Sequence, residues 1–379
     1  MHNDLSSTGQ DDRNATNGEL KAAQTEDGIK ISILGVGGLG TSIASGIRGK
    51  KVSGTEVIAI CDDPKHLLEV KADRKYYLDN GIPRGVGVCT NPIIGEEAAR
   101  RDSEQIEGLI KGKDLIFLIT GLGGRIGTGA VPVIADIARK QGSFVITIDT
   151  LPFETEGKIR NDNAREGLEK LKKFSNENIL ISLDSLRETF PELYLDNFWG
   201  VSDKVLAEIV KMIIEPLTKL WNVESERNEL RSAFADGGVG TIGIGESESP
   251  GIKGLKEAVE EAVSSPLIVL DESRADVRYV PVRNKLVKIH VPPQVLKAKT
   301  ALVSLSFGDE VHESELTEAV KIIKKHTGEN TNMVLTSSPG STLEGGKMCL
   351  VILTGQHFSF QSEENPTGSK GLERSDGTV

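Results

Sequence analysis

The stretch GLGGRIGTGAVPVIADIA, from Gly121 to Ala138, places a glycine-rich turn between an apolar run and a helical pattern. Glycines at such a turn let the backbone approach a phosphate, and the N-terminus of the next helix supplies unpaired N–H groups. Arg125 and Ile126 interrupt the glycines. The stretch therefore predicts a phosphate-binding turn whose centre has been altered.

Short apolar runs of strand type alternate with helical patterns on both sides of this turn. That alternation predicts an α/β protein with a Rossmann-like parallel sheet covered on both faces. The segment SDKVLAEIVKMIIEPLTKLW, from Ser202, has a wide apolar face at helical spacing, which predicts a central linking helix that Pro216 kinks or ends. A smaller α/β C-terminal domain follows. The predicted divisions are a flexible arm over 1–27, a nucleotide-binding domain over 28–200, the linking helix over 201–222, the C-terminal domain over 223–355 and a disordered tail over 356–379.

Composition narrows the class of protein. The 379 residues are enough for two domains, and no apolar run approaches the length of about 18 residues that a membrane span needs. The three cysteines are scattered and the N-terminus lacks the pattern of a secretory signal, which predicts a reducing cytoplasm. A net charge of -11 argues against nucleic acid and anionic lipid as partners. Any bound anion must therefore be held locally.

Two further glycine-rich turns help to indicate which class of ligand the protein binds. In ILGVGGLGTS, Gly35, Gly37 and Gly40 satisfy G-x-G-x-x-G, and Asp62 stands where a dinucleotide fold keeps an acid for a ribose hydroxyl. Taken alone, this loop indicates either an NAD-dependent oxidoreductase or a tight turn without a ligand. The second turn, RGVGVCTNP, contains Gly87. Three such turns fit a triphosphate wrapped by several strand ends better than one dinucleotide.

The stretch from Gly121, followed by DTLPFETEGKIR, resembles the signature region of the tubulin/FtsZ family, whose phosphate loop normally reads G-G-G-T-G-T-G before a T-x-P-F segment. The resemblance extends from about Ile29 to Gly355 and is to a divergent prokaryotic FtsZ-like protein, with an archaeal source among the alternatives. It implies the tubulin/FtsZ fold, binding of GTP or GDP with Mg²⁺ as a further cofactor, and head-to-tail self-association into filaments, in cell division. It also implies division partners that bind the C-terminal tail.

The resemblance implies nucleotide contacts at matching positions. These are Gly37, Gly38 and Gly40 in the first loop, Gly87 in the second, Gly123, Gly124, Arg125, Gly127, Thr128 and Gly129 in the signature loop, Glu156 and Arg160 at the sugar, and Trp199 and Asp203 at guanine. Ser42 and Leu183 stand where the family usually has asparagine. Without the family, Glu156 and Arg160 are equally an i, i+4 surface pair, and Trp199 and Asp203 are equally a packed ring and a favourable acid at a helix start.

In this family a loop of the neighbouring subunit, usually N-x-D-x-x-D, completes the hydrolytic site. Here it falls on ESERNEL, residues 224–230, with Glu226 and Glu229 at the acidic positions. Each carboxylate is one methylene longer than in aspartate, and a misplacement of about 1 Å costs on the order of a hundredfold in rate. The alternatives are a charged, solvated loop and a register that pairs NVE, from Asn222, with N-x-D and leaves two residues over.

Arg125 also bears on the rate, because its guanidinium could grip a phosphate or crowd it. The sequence therefore predicts slow or lost hydrolysis. Besides a filament-forming protein that uses GTP, a non-catalytic scaffold and an NAD-dependent oxidoreductase stay open.

Overall fold

The computed structural model describes residues 28–50, 52–78, 90–190, 202–235, 238–268, 276–282, 285–291, 298–307, 313–339 and 347–356. The predicted N-terminal arm, the predicted tail beyond Gln356, Gly87 and Trp199 lie outside these residues. In the part of the chain so described, no helix is both long and apolar enough to cross a bilayer.

The first half of the chain alternates strands and helices. In chain order these are β1 (Ile31–Val36), α1 (Gly37–Lys50), β2 (Thr55–Cys61), α2 (Pro64–Glu69), β3 (Arg74–Tyr77), α3 (Pro92–Arg101), α4 (Ser103–Ile110), β4 (Leu115–Gly121), α5 (Arg125–Lys140), β5 (Phe144–Leu151), α6 (Lys158–Leu171), β6 (Glu177–Ser182) and α7 (Leu183–Thr189). A short 3-10 turn, Glu154–Glu156, lies between β5 and α6.

The second half begins with two helices. In chain order its elements are α8 (Ser202–Asn222), α9 (Glu224–Ala233), β7 (Val239–Ser247), α10 (Gly251–Val263), a 3-10 turn (Pro266–Ile268), β8 (Asp276–Val282), β9 (Lys285–Val291), β10 (Thr300–Phe307), α11 (Glu313–Thr327), β11 (Asn332–Pro339) and β12 (Lys347–Gln356).

Ten of the strands form one sheet in the order β11-β10-β12-β7-β6-β5-β4-β1-β2-β3. The six strands from β6 to β3 are parallel, and β7 joins them through two residue pairs with β6. β12 runs antiparallel to both of its neighbours, β7 and β10. Strands β1, β4 and β5 are buried almost throughout, as expected when helices cover both faces of a parallel sheet.

Helix α8 occupies the segment predicted as the linking helix, and one face of it is buried. Its apolar side chains belong to one core with residues from both halves of the sheet, such as Ile146 on β5 and Ile352 on β12. The helix passes through Pro216 and ends at Asn222, so the proline does not end it.

The segment 224–230 was predicted as a loop, and that prediction is wrong: it is the first part of α9. Glu224 and Glu226 lie in the first turn, where the positive end of the helix dipole favours carboxylates. Glutamate, arginine and leucine are also good helix formers. The acids predicted to act in hydrolysis are therefore carried on a helix.

Candidate functional site

A cleft of about 420 Å³ opens at the carboxyl ends of the parallel strands. Ligands bind at this edge of open α/β sheets because the loops and the helix N-termini converge there. The cleft is lined by Gly38, Leu39, Ser42, Asp62, Gly121, Leu122, Gly124, Arg125, Ile126, Gly127, Thr150, Pro152, Glu156, Arg160, Leu183 and Asp203.

Two helices begin at the cleft directly after strands. Helix α1 follows β1, and its first residue, Gly37, has a φ of 76° that favours glycine. Helix α5 begins at Arg125 after Gly124, which supplies no side-chain cap. The N–H groups of a first helical turn have no intrahelical acceptor, so both helices offer donors to an anion.

The predicted glycines divide into two groups. At Gly38 a Cβ would meet nothing within 4 Å, and at Gly124 only the Arg160 guanidinium, 3.9 Å away. These two line the cleft and leave the backbone accessible to a ligand. Gly40, Gly127 and Gly129 lie in packing contacts, where a Cβ would overlap the carbonyl oxygen of Ile119, Gly121 or Pro92, respectively; of these three, Gly127 also lines the cleft.

A hydrogen bond and a packing contact within the protein stabilise the signature loop. Gly123 has a φ of 95°, and its N–H donates to the Thr128 hydroxyl at 2.7 Å. Thr128 is only 2% exposed, and its methyl group packs where Gly167 of α6 leaves space. Gly123, Thr128, Gly37, Gly40 and Gly129 are not among the residues that line the cleft; they shape the loops that do.

Arg125 forms an ion pair with Asp62, which joins the N-terminus of α5 to the end of β2. The side chains of Arg125 and Asp62 are 13% and 15% exposed. Both line the cleft, so the guanidinium among the glycines is already held by a carboxylate. Ile126, the other residue that interrupts the glycines, is 4% exposed and belongs to the core beneath α5.

Glu156 and Arg160 are brought together at the cleft, with the Arg160 Nε 3.1 Å from a Glu156 carboxylate oxygen. The other oxygen of Glu156 accepts from the backbone N–H of Phe153 at 2.9 Å. Glu156 therefore fastens the turn between β5 and α6 as well as holding Arg160 beside the cleft.

Asp203, in the first turn of α8, lines the cleft and accepts a hydrogen bond from Ser42. Burial raises the pKa of Asp203, while the Ser42 hydroxyl and the charge of His66 partly oppose that rise. The His66 Nε2 lies 2.8 Å from the Thr41 hydroxyl and 3.1 Å from the Gly38 carbonyl oxygen. The imidazole thus fastens α2 to the first glycine loop.

Glu226 and Glu229 lie far from the cleft. Arg231 on the same helix places its guanidinium carbon 5.6 Å from the ring centre of Phe144, the first residue of β5. The cleft lies at the other end of β5, beside Thr150. Phe144 and Thr150 are six residue steps apart, about 20 Å at about 3.3 Å each, so α9 and the cleft lie at opposite ends of β5.

The amino-acid sequence is similar to those of known proteins. The family model described as "Tubulin/FtsZ family, GTPase domain" matches residues 30–191. The protein named "Cell division protein FtsZ 1" in Thermococcus kodakarensis is 37% identical over 330 residues, which cover 86% of each chain. The chain belongs to the tubulin/FtsZ family. The resemblance seen in the signature loop is thereby confirmed.

Solved structures agree with this FtsZ-like assignment. An empty FtsZ dimer of M. jannaschii has a TM-score of 0.73 and 32% identity, covering 87% of this chain and 89% of that chain. CetZ2 from Haloferax volcanii, solved as a GTPγS-bound protofilament, has a TM-score of 0.67 and 19% identity, covering 86% and 92%. The second likeness concerns the fold alone. The predicted fold class is confirmed.

Sequence reasoning missed two contacts of this FtsZ-like site. The spacing of the first glycine loop predicts Asp62 as an acid for ribose rather than as the partner of Arg125, and it predicts no role for His66. A signal for the first was present, because an unexpected cation and an acid each followed a strand of one parallel sheet, and the carboxyl ends of such strands lie at the same edge. No sequence pattern marked His66.

Proposed function

We propose that this protein binds guanine nucleotide in the cleft and assembles head to tail into filaments that act in cell division. The observation that carries the proposal is the separation of the two predicted half-sites. The cleft lies at the carboxyl edge of the sheet, and Glu226 and Glu229 lie near the opposite edge. Only a second copy, stacked end to end, brings those acids to the cleft.

The anion-binding part of the proposal rests on backbone donors. Gly38 and Gly124 leave open backbone at the starts of α1 and α5, where two helix N-termini face the cleft. A chain of net charge -11 has no general attraction for anions, so a phosphate would depend on these local donors and on Arg125 and Arg160.

The choice of guanine rests on Asp203. Its carboxylate lines the cleft and accepts from Ser42, so it is positioned to accept from the N1 and N2 hydrogens that guanine carries and adenine lacks. Trp199, proposed to stack on the base, lies outside the described residues. The dinucleotide alternative is weakened because Asp62, the acid that a ribose would need, is paired with Arg125.

We expect hydrolysis to be slow. The acids of α9 are glutamates, and Arg125 stands paired with Asp62 at the start of α5, where a terminal phosphate would bind. The same ion pair favours a second candidate, a scaffold that forms filaments without nucleotide turnover. Mg²⁺ prefers oxygen ligands, and with Asp62 engaged by Arg125 the ion would be held chiefly by phosphate oxygens and water.

The proposed setting is the cytoplasm, in keeping with the relatives named as cell division proteins. The proposed attachment point for division partners is the C-terminal tail, whose HFSF segment contains Phe358 and Phe360. An aromatic segment of this kind is able to dock on a partner groove, and truncation at Gln356 would remove it.

The test is sedimentation and phosphate release with GTP, GDP, ATP and no nucleotide. Filaments that require guanine nucleotide, with measurable phosphate release from GTP alone, support the proposal. Filaments that form equally well without nucleotide, from a protein that binds no guanine nucleotide by calorimetry, would overturn it in favour of the scaffold.

A further inference from the structure

The ion pair between Asp62 and Arg125 crosses the cleft from one strand-end loop to another. Asp62 directly follows β2, and Arg125 is the first residue of α5, beside the open backbone of Gly124. A terminal phosphate at the start of α5 would come to the same guanidinium. The carboxylate of Asp62 and the phosphate of an anionic ligand would therefore compete for the guanidinium of Arg125.

The pair is largely shielded from water, with side chains 13% and 15% exposed. Charges at such positions depend on each other, because removing one partner leaves the other poorly solvated and without compensation. The Nε of Arg125 is buried and has no hydrogen-bond partner among the described residues. The guanidinium thus keeps donor capacity beyond what Asp62 uses.

We propose that Asp62 is an internal competitor for the terminal phosphate of the nucleotide, and so sets the preference of the site between GTP and GDP. The proposal rests on the proposed function. When a phosphate enters, Arg125 must leave Asp62 or be shared with it, and the uncompensated carboxylate then repels the phosphate. GTP carries more charge near the start of α5 than GDP does, so Asp62 weakens GTP binding more than GDP binding.

The experiment is calorimetric titration of GTP and of GDP into wild type, Asp62→Asn, Arg125→Gln and the double variant. We expect Asp62→Asn to tighten GTP binding about tenfold or more, and GDP binding by less, because Arg125 is freed for the phosphate. The gain on replacing Asp62 should be smaller when Arg125 is already glutamine. Glu154→Gln is the matched control: it removes one exposed negative charge from the turn beside the cleft, and Glu154 does not line the cleft.

Asp62→Ser, which also removes the charge, gives the same comparison if Asp62→Asn does not fold. The proposal is overturned if loss of the carboxylate leaves GTP affinity unchanged or lower, if it tightens GTP and GDP equally, or if Glu154→Gln has the same effect. A wild type and variants that all fail to bind guanine nucleotide would instead overturn the proposed function. A wild type that binds GTP and GDP, with no selective effect at Asp62, would overturn this inference alone.

Discussion

The backbone N–H of Gly123 donates a 2.7 Å hydrogen bond to the hydroxyl of Thr128, inside the signature loop. Thr128 stands at a position that the family resemblance assigns to nucleotide contact. Its hydroxyl is instead engaged with the loop's own backbone, and its side chain is buried. The loop therefore holds its shape through an internal bond.

Thr128→Val should reduce the free energy of unfolding by about 1–3 kcal/mol, because the buried N–H of Gly123 loses its acceptor. Thr128→Ser keeps the hydroxyl and is the control. Chemical denaturation measures the free energy of unfolding, and nucleotide titration measures the affinity of the site that the loop forms. If Thr128→Val unfolds like wild type and loses only nucleotide affinity, the hydroxyl serves the ligand rather than the loop.

Gly127→Ala and Gly38→Ala should separate packing from binding. A Cβ at Gly127 would overlap the carbonyl oxygen of Gly121, so we expect that variant to lose roughly 1–3 kcal/mol of folding stability. A Cβ at Gly38 meets nothing within 4 Å, and Gly38 lines the cleft, so that variant should fold normally and bind nucleotide less tightly. Thermal unfolding and titration of the two proteins check this. Equal stability of both variants would contradict the packing role of Gly127.

The contribution of Asp149 to the stability of the protein should fall as pH rises from about 4 to about 8. Burial raises the pKa of this carboxyl group from 3.8 to about 8 in the folded protein. The folded state then holds a proton that the unfolded state releases, and each unit of pH in that window costs roughly 1.4 kcal/mol. Glu177, whose pKa burial raises to about 8, acts in the same direction.

The measurement is chemical denaturation across that pH range for wild type and Asp149→Asn. The variant should be more stable than wild type near pH 8 and lose that advantage near pH 4. Replacement of Asp136, which pairs with Lys140 on α5 and is not deeply buried, is the control for a general charge effect. A difference between Asp149→Asn and wild type that does not vary with pH would contradict the assignment.

Arg231→Gln should loosen the helix that carries the predicted hydrolytic acids. The Arg231 guanidinium carbon lies 5.0 Å from the ring centre of Trp221 and 5.6 Å from that of Phe144. Contacts of this kind at exposed sites contribute about 0.5–1 kcal/mol, so a small loss of stability is expected. Arg231→Lys retains the charge, and its stability should lie between those of wild type and Arg231→Gln. Hydrogen exchange of the α9 backbone amides measures the effect, and unchanged exchange would show that the arginine does not hold the helix.

Mixing two inactive variants should restore phosphate release if the active site forms between copies. Glu226→Gln/Glu229→Gln keeps the cleft and lacks the acids, whereas Asp203→Asn keeps the acids and is expected to lose guanine recognition. In a head-to-tail filament that contains both variants, some contacts join the intact cleft of one copy to the intact acids of the next. Phosphate release is measured for each variant and for the mixture, with Glu224→Gln as the control on the same helix. A mixture no more active than its parts would contradict the shared site.

The sequence by itself determined the alternation of strands and helices and the family. Apolar runs, glycine turns and helical patterns follow from local spacing, so the parallel sheet, the linking helix and the signature loop at Gly123 and Gly124 were predictable. The family motifs in the sequence also predicted that Asp203 and Arg160 contact a nucleotide, and both residues line the cleft.

Only the tertiary structure decided which of these residues line the cleft. Asp62 and Arg125 are 63 residues apart in the chain, and their pairing depends on how the ends of β2 and β4 lie across the sheet. Gly129 looks like a ligand-binding glycine in the sequence, yet it does not line the cleft, and the close approach of the Pro92 backbone leaves no room for a side chain there. Such contacts depend on distances between elements, which no local pattern of residues specifies.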